Sequence, residues 1–184
     1  SLELPQYTNK IQELARRATG EAELESTLKI VDVEWNEQVF PFAHMDPISG
    51  DSSAGPRLIL DVDASQRLID RAEDAHINMT AMMSSPSLGP HKTELVSWMA
   101  KLNEISGFLK RWVEVQALWK HLASVFGHHG DELTYEASQF AIFDRDYNKF
   151  LLAATECHNI LHWCYGSDED VTKIGLLENL AEGL

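Results

Sequence analysis

The stretch LKRWVEVQALWKHL (residues 109–122) places Trp112, Gln116 and Trp119 on one line of a predicted helix. Three roles fit such a line: a platform on which bases stack, a ligand box, or the buried seam of a helical rod. Steps of three and four residues extend it in both directions, and we call the whole set the seam: Leu95, Trp98, Leu102, Ile105, Leu109, Trp112, Gln116, Trp119, Ala123 and Phe126. This sustained heptad pattern predicts one helix from about His91 to Phe126, about 54 Å long, packed against neighbouring helices.

The charge of the chain argues against base stacking. Fifteen basic and twenty-nine acidic side chains give a net charge of −14, and such a surface repels nucleic acid and anionic membranes. Near the two tryptophans only Lys110, Arg111 and Lys120 are basic. The pattern therefore favours a core seam, in which Gln116 should hydrogen-bond to a facing helix or to backbone.

The other patterns predict a mainly α fold: an elongated bundle of long antiparallel helices in series with one small β-hairpin. NKIQELARRA (residues 9–18) is expected to form a short amphipathic helix that ends at Thr19-Gly20, with Ile11, Leu14 and Ala18 on one side. A second helix then carries Leu24, Leu28, Val31 and Trp35. The 184 residues are treated as one helical unit, with 1–90 holding the first helices and the hairpin and 91–184 the long helix and those that follow.

The predicted hairpin pairs QVFPFAHM (38–45) with RLILDV (57–62) around a Pro/Gly/Ser-rich tip. Residues 63–66 are expected to cap a third helix that ends near Ser84, before the break SSPSLGP. A second apolar face on the long helix predicts that its C-terminal half lies between partners; the residues are Phe108, Val115, Leu118, Leu122 and Val125. A fifth helix is expected to run from Phe143 through Cys164, and a last one to follow GSDED. The start at Ser1 and the end in a helical pattern lead us to expect a piece of a longer chain.

Two segments contain residues of the types that catalyse reactions. LILDVDAS (58–65) resembles the nucleophile strand of haloacid-dehalogenase-type phosphatases, in which Asp61 and Asp63 would act, but the alternating strands that this chemistry needs do not follow. A strand end followed by a helix-capping Asp is the favoured interpretation.

The second segment, CHNILHWC (157–164), offers His158 and His162 as weak zinc candidates, since their spacing on one helix supplies half a site. A third ligand would have to come from a place such as His128 or His129, and buried thiols filling a seam are the commoner use of the two cysteines. Asp144 and Asp146 are expected to be a charge pair at a helix N-terminus. No nucleotide-binding or catalytic motif occurs, so neither a catalytic nor a cofactor-binding residue is assigned.

The sequence motif along the seam resembles one in the linker of dynein heavy chains. WxxxQxxWxxLxxxF corresponds to Trp112, Gln116, Trp119, Leu122 and Phe126. Other residues of the chain are similar to further linker motifs, in order: Trp35 ends an LExxLxxxxxxW helix, Ser85 and Pro86 lie in an MxxSP turn, Trp98 and Leu102 in a WExxL stretch, and Phe140 in an RFxxID-like run. The chain departs from the family at residues 121–126, where linkers usually read YLExIF, and at Met99, where they carry an acid.

The resemblance implies the N-terminal half of a linker, a non-catalytic lever that swings across an AAA+ ring and moves a motor along microtubules. It implies no cofactor in this chain, with ATP and Mg²⁺ bound by the ring of the parent motor. The implied partners are the ring and the tail of the same heavy chain, without nucleic acid, membrane or direct microtubule contact. The implied location is cytoplasmic and cytoskeletal, and a ciliary or flagellar axoneme is one case of it.

Two other classes of function stay open on the residues alone. One is a stand-alone acidic helical adaptor whose apolar grooves take a partner helix. The other is a metal-dependent hydrolase that uses Asp61, Asp63 and the histidines.

Overall fold

The computed structural model describes residues 4–45, 57–126, 134–166 and 173–182. Six α-helices lie in these ranges: α1 (Leu4–Asn36), α2 (Val62–Met82), α3 (Lys92–Phe126), α4 (Tyr135–Glu156), α5 (Ile160–Tyr165) and α6 (Lys173–Glu182). Two strands, β1 (Phe42–Met45) and β2 (Arg57–Leu60), pair antiparallel with Phe42 opposite Leu60. The predicted mainly α fold with one small hairpin is confirmed.

The helices α1 to α4 pack in an antiparallel series. Glu34 near the end of α1 pairs with Arg71 in the first half of α2, whereas Gly20 lies beside Ser87, beyond the end of α2. Farther along, Glu73 of α2 accepts a hydrogen bond from Ser106 of α3 at 3.1 Å. Since Leu60, just before α2, contacts the later residue Gln116 of α3, these two helices also run in opposite directions.

The seam lies in the core along almost its whole length. Nine of its ten positions are buried, namely Leu95, Trp98, Leu102, Ile105, Leu109, Trp112, Gln116, Trp119 and Ala123, and Phe126 is half-buried. Phe126 stacks on Phe140 of α4 with ring centroids 5.6 Å apart. The second apolar face of α3 is covered only in part: Phe108 and Val115 are buried, whereas Leu118 and Val125 are exposed.

The prediction that the first helix ends at Thr19-Gly20 is wrong. α1 continues through both residues to Asn36. Gly20 marks a close approach, because a Cβ at this position would lie 2.5 Å from Oγ of Ser87. A glycine in a helical pattern therefore makes room for the turn after α2 here.

α2, the third helix of the sequence prediction, begins earlier than predicted. Its N-cap is Asp61, whose carboxylate accepts the N–H of Ala64 at 2.8 Å, so residues 63–66 already belong to the helix. Asp61 is thus the strand-end capping residue that the favoured interpretation requires. Pro41 precedes β1, and its carbonyl accepts the N–H of Asp61 at 2.8 Å.

The predicted hairpin tip (46–56) lies outside the described residues, and so do residues 127–133. In the ranges that the structure does describe, no helix combines the length and the hydropathy needed to cross a bilayer.

Candidate functional site

The hairpin is fixed to the long helix through Gln116. Its side-chain amide accepts the main-chain N–H of Leu60 at 2.8 Å and donates to the carbonyl of the same residue at 2.8 Å. Both residues are buried, Gln116 with 1% of its surface exposed. The side chain thus replaces a neighbouring strand for the last residue of β2, and it sets the position of the hairpin along α3. The prediction that Gln116 hydrogen-bonds to backbone is confirmed.

A tyrosine of α4 completes this contact. The hydroxyl of Tyr147 donates to Oε1 of Gln116 at 3.2 Å and accepts from Nε1 of Trp112 at 3.3 Å. Burial raises the pKa of Tyr147, because water no longer stabilises the phenolate. A neutral phenol, which can donate and accept at once, is the form that this chain of hydrogen bonds needs. Strand β2, α3 and α4 are therefore joined by one buried polar network.

A second, partly exposed cluster joins the same three elements nearer the tip of the hairpin. Oδ1 of Asp144 accepts Nε1 of Trp119 at 2.8 Å and Nδ2 of Asn148 at 3.0 Å. The guanidinium of Arg57, the first residue of β2, lies 3.5 Å from the same oxygen. The expectation that Asp144 and Asp146 mark a helix N-terminus is wrong, since both lie in the middle of α4. Asp146 instead pairs with its neighbour Arg145 at 3.0 Å.

The segment that leads into β1 is also fixed by hydrogen bonds. The N–H of Phe40 donates to the carbonyl of His158 at 3.0 Å, and the N–H of Ile160 donates to the carbonyl of Gln38 at 3.0 Å. Asn159 forms an isolated antiparallel bridge with Val39. Its Nδ2 also donates to the carbonyl of Asn36 at 2.5 Å. The break between α4 and α5 is thus tied to the segment that leads from α1 into β1.

The predicted fifth helix is divided at this tie. α4 ends at Glu156, and α5 begins at Ile160 with Asn159 as its N-cap. The period of three and four residues continues through the break, which is why the sequence pattern did not indicate it. An Asn directly before an apolar run is the sequence signal that could have predicted the start of α5. In the structure this Asn159 has the extended conformation of an N-cap.

We call these contacts together the hairpin anchor: Gln116, Tyr147 and Trp112 around Leu60, Asp144 and Trp119 beside Arg57, and Asn159 beside Val39. Aromatic side chains fill the space between the contacts to β2 and the contact to Val39. Trp112 is in edge contact with Phe40 and Phe150, at centroid separations of 5.2 and 4.8 Å. The ring of Trp112 has no exposed surface, so neither base stacking nor a ligand box is possible there.

The weak metal candidates do not lie on one helix. His158 precedes α5 and His162 lies within it, and both side chains are exposed. Over the described part of the chain, no three His, Cys, Asp or Glu side chains are grouped as the ligands of a metal ion. His128 and His129 fall outside the described residues. Of the phosphatase-like pair, Asp61 caps α2 and Asp63 is exposed in its first turn.

The residues behind the linker resemblance belong to the packed core and its margins. Trp35, Trp98, Leu102, Trp112, Gln116 and Trp119 are buried, and Leu122, Phe126 and Phe140 are half-buried. Ser85 and Pro86 lie in the turn after α2, where the N–H of Ser85 donates to the carbonyl of Met82 at 3.0 Å. Sequence reasoning missed Tyr147, Asp144 and Asn159 as members of the hairpin anchor.

The fold and the hairpin anchor define a mainly helical unit whose one hairpin is fixed to the longest helix described. The family described as dynein heavy chain, N-terminal region 2, matches residues 1–184. The chain therefore belongs to this dynein heavy chain family, which confirms the resemblance, and the N-terminal region of the linker fits the match.

Axonemal and flagellar heavy chains are among its relatives. The chain is 24% identical over 164 residues to the dynein gamma chain of the flagellar outer arm of Chlamydomonas reinhardtii, covering 88% of this chain and 4% of that protein. It is 28% identical over 183 residues to dynein axonemal heavy chain 5 of Mus musculus, covering 98% and 4%. It is also 28% identical over 188 residues to the dynein-1-alpha heavy chain of the flagellar inner arm I1 complex of Chlamydomonas reinhardtii, covering 100% and 4%.

Proposed function

We propose that this chain is the N-terminal half of a linker, a mechanical element that swings across the AAA+ ring of a dynein heavy chain and so drives movement along microtubules. Membership of the heavy chain family over all 184 residues supports this function. So does the shape of α3, whose 35 residues correspond to about 52 Å of helix at about 1.5 Å per residue. A rod buried along one whole side by α2, the hairpin and α4 resists bending, as a lever must.

The hairpin anchor is the observation that carries the mechanical proposal. Gln116 and Asp144 hold β2 from both of its ends, and Asn159 holds the segment before β1. A force applied to the hairpin is therefore transmitted to α3 and α4 through these contacts. This coupling is useful where the hairpin is the point at which the lever contacts another body.

The candidate ring contacts are the hairpin tip (46–56) and the segment 127–133 between α3 and α4. The sequence indicated a longer loop, 127–138, but residues 135–138 form the first turn of α4. β2 runs from Arg57 beside Asp144 and Trp119 to Leu60 beside Gln116. The end of β2 nearest the hairpin tip thus lies toward the C-terminal end of α3, which Phe126 closes and residues 127–133 follow. The described residues that flank the two segments lie on the same side of Gln116 along α3, so the two segments are suited to contact the same partner.

Catalysis is assigned to the parent motor. This chain carries no nucleotide-binding motif, so ATP and Mg²⁺ would be bound by ring modules outside these 184 residues. The ring and the tail of the same heavy chain are the proposed partners. The axonemal and flagellar relatives favour a cytoskeletal location in a cilium or flagellum.

The test replaces each segment in the parent heavy chain, 46–56 or 127–133, by Gly/Ser of the same length, which keeps Thr134, the N-cap of α4. We expect the motor to bind microtubules and hydrolyse ATP, but to move them more slowly in a gliding assay, because the lever no longer engages the ring. Leu152→Ser, an exposed change on α4, is the matched control and should leave velocity unchanged. Unchanged velocity in both loop variants would sink the ring-contact proposal.

The size of the native protein tests the premise. An antibody raised to this chain should detect a band of several hundred kilodaltons in native lysate. A band near 20.8 kDa would instead make the chain a free-standing protein and favour the acidic helical adaptor.

A further inference from the structure

The middle of α3 contains the segment of this helix with the weakest tendency to be helical. Its sequence is NEISGF (residues 103–108). Asn, Ile, Ser and Phe all rank below Ala, Leu, Lys and Glu in helix propensity, and Gly ranks below every residue except Pro. Gly107 is the one glycine of α3, and pairs of Gly and Ser are among the few sequence features at which helices kink. Ser106-Gly107 is therefore the point at which α3 would bend first.

Glu73 of α2 bridges this point from the neighbouring helix. Its Oε1 accepts a hydrogen bond from the hydroxyl of Ser106 at 3.1 Å and another from the ammonium of Lys110. Ser106 lies directly before Gly107 in the sequence, whereas Lys110 lies after it and one helical turn beyond Ser106. One carboxylate oxygen thus holds the turns on both sides of the glycine, and we call this pair of contacts the Glu73 clamp.

The two bonds of the Glu73 clamp differ in their surroundings. Ser106 is 5% exposed, whereas the side chains of Lys110 and Glu73 are 51% and 45% exposed. An ion pair with this exposure contributes little, because water and salt screen it. A buried hydroxyl, in contrast, needs a hydrogen-bond partner. The bond between Ser106 and Glu73 is therefore the principal part of the clamp.

Loss of Glu73 leaves Ser106 with an alternative acceptor in its own helix. This acceptor is the carbonyl of Leu102, four residues earlier, and a serine that bonds to it destabilises and often bends the helix. The Glu73 clamp directs the hydroxyl to α2 instead. Beside Ser106, a groove of about 230 Å³ lies between α2 and α3 and is lined also by Ala72, His76 and Leu102. A bend in α3 at this point therefore meets free space and not a packed side chain.

We propose that Glu73 clamps a bend point in α3: α3 is continuous while Glu73 holds Ser106 and Lys110, and it opens at Ser106-Gly107 once the clamp is released. Both donors lie on α3, so a sliding movement of α3 along α2 breaks both bonds together. The hairpin anchor contacts α3 on the C-terminal side of Gly107. A bend here therefore redirects the half of α3 that carries the hairpin. The inference uses only contacts between α2 and α3 and does not depend on the linker proposal.

The experiment measures amide hydrogen exchange of the 184-residue chain, residue by residue, by NMR. The N–H groups of residues 107–111 donate the helical hydrogen bonds that span the bend point. Glu73→Ala should speed exchange of these amides by about tenfold or more, and leave residues 95–101 and 115–121 close to their wild-type rates. The increase should not depend on urea at low concentrations, because a local opening exposes little surface whereas global unfolding exposes much.

Matched variants separate a bend point from a general loss of stability. Asp74→Ala removes an exposed acid next to Glu73 in the same helix and should leave exchange of residues 107–111 unchanged. Gly107→Ala, added to Glu73→Ala, should return exchange of these amides to near the wild-type rate, because Ala disfavours the bend. Val96→Ala is an exposed change that also raises helix propensity in α3. Added to Glu73→Ala, it should not restore the rate, since it lies about three turns from the bend point.

Three results would overturn the proposal: equal exchange of residues 107–111 in Glu73→Ala and Asp74→Ala, an increase spread evenly along α3, or equal rescue by Val96→Ala and Gly107→Ala. Each of them is measured on the isolated chain and leaves motor velocity untouched. Failure of the Glu73 clamp is therefore distinguishable from failure of the linker proposal.

Discussion

Gln116 binds both main-chain polar groups of Leu60, fifty-six positions away in the sequence, through the two ends of one side-chain amide. The pair joins the last residue of the hairpin to the C-terminal half of the longest helix described. Since both residues are buried, water cannot replace either hydrogen bond when one partner is removed. Because one side chain makes both hydrogen bonds, substituting Gln116 is the most direct test of the hairpin anchor.

Gln116→Leu should destabilise the chain by about 2–4 kcal/mol, because it leaves a buried N–H and a buried carbonyl without partners. Gln116→Glu should cost less at pH 5 than at pH 7. Burial raises the pKa of the introduced carboxyl above its unfolded value of about 4.3, so the penalty is absent below that value and grows as the pH rises. Urea unfolding at both pH values measures the difference. The pH-independent deficit expected of Gln116→Leu is the control; an identical deficit for Glu at both pH values would contradict the assignment.

Tyr147→Phe should lower the free energy of unfolding by about 1–2 kcal/mol, since Gln116 loses a donor and Trp112 an acceptor. The variant should also change the response to alkali. The raised pKa of Tyr147 means that its contribution is complete below the unfolded pKa of about 10 and is lost above it. The wild-type chain should therefore lose stability between about pH 10 and 11 more steeply than Tyr147→Phe. Equal slopes in denaturant titrations would show that the phenol is not buried as described.

Two glycines in helices should respond in opposite ways to Ala. Gly107→Ala should stabilise the chain by about 0.5–1 kcal/mol, because its added Cβ meets no atom within 4 Å and Ala is the better helix former. Gly20→Ala should instead be destabilising, because its Cβ would lie 2.5 Å from Oγ of Ser87, a buried side chain. The double variant Gly20→Ala/Ser87→Ala should recover part of the loss. Thermal unfolding of the three variants decides it, and a stabilising Gly20→Ala would mean that α1 does not approach Ser87 so closely.

Asn159 has two separable roles that a pair of variants resolves. Its Oδ1 accepts the N–H of His162 at 2.8 Å and its Nδ2 donates to Asn36. Asn159→Ala should cost about 1–2 kcal/mol and speed amide exchange in α5, since both bonds are lost. Asn159→Asp keeps the cap but loses the donor, so exchange at His162 should remain slow. Fast exchange at His162 in Asn159→Asp would place the stabilisation in the tie to Asn36 alone.

Local and periodic features were predictable from the sequence. The heptad steps from Leu95 to Phe126 identified α3 and its buried side because side chains three and four residues apart share one face of a helix. Because this face is buried, the sequence also predicted that Gln116 needs a hydrogen-bond partner, but it did not identify that partner. Leu60 could not be identified as that partner, because no local rule connects residues separated by fifty-six positions.

Where the sequence interpretation was wrong, a contact with a distant residue had overridden a local signal. Gly20 indicated a helix end, but in the folded chain it makes room for Ser87 and α1 continues. The unbroken period through Cys157 and Cys164 indicated one helix, but hydrogen bonds to residues 36–40 divide it at Asn159. Asp144 looked like a terminal charge, but it lies mid-helix, beside Trp119 and Arg57.

The sequence by itself determined that the chain is mainly helical, which side of α3 faces the core, and its family, because these follow from the type and spacing of neighbouring residues. Only the tertiary structure decided that the hairpin is anchored at β2 and at the segment before β1, and that α4 and α5 are separate helices. Each of these depends on which distant groups meet: a buried polar group specifies the chemistry of its partner, and folding specifies where that partner lies in the chain.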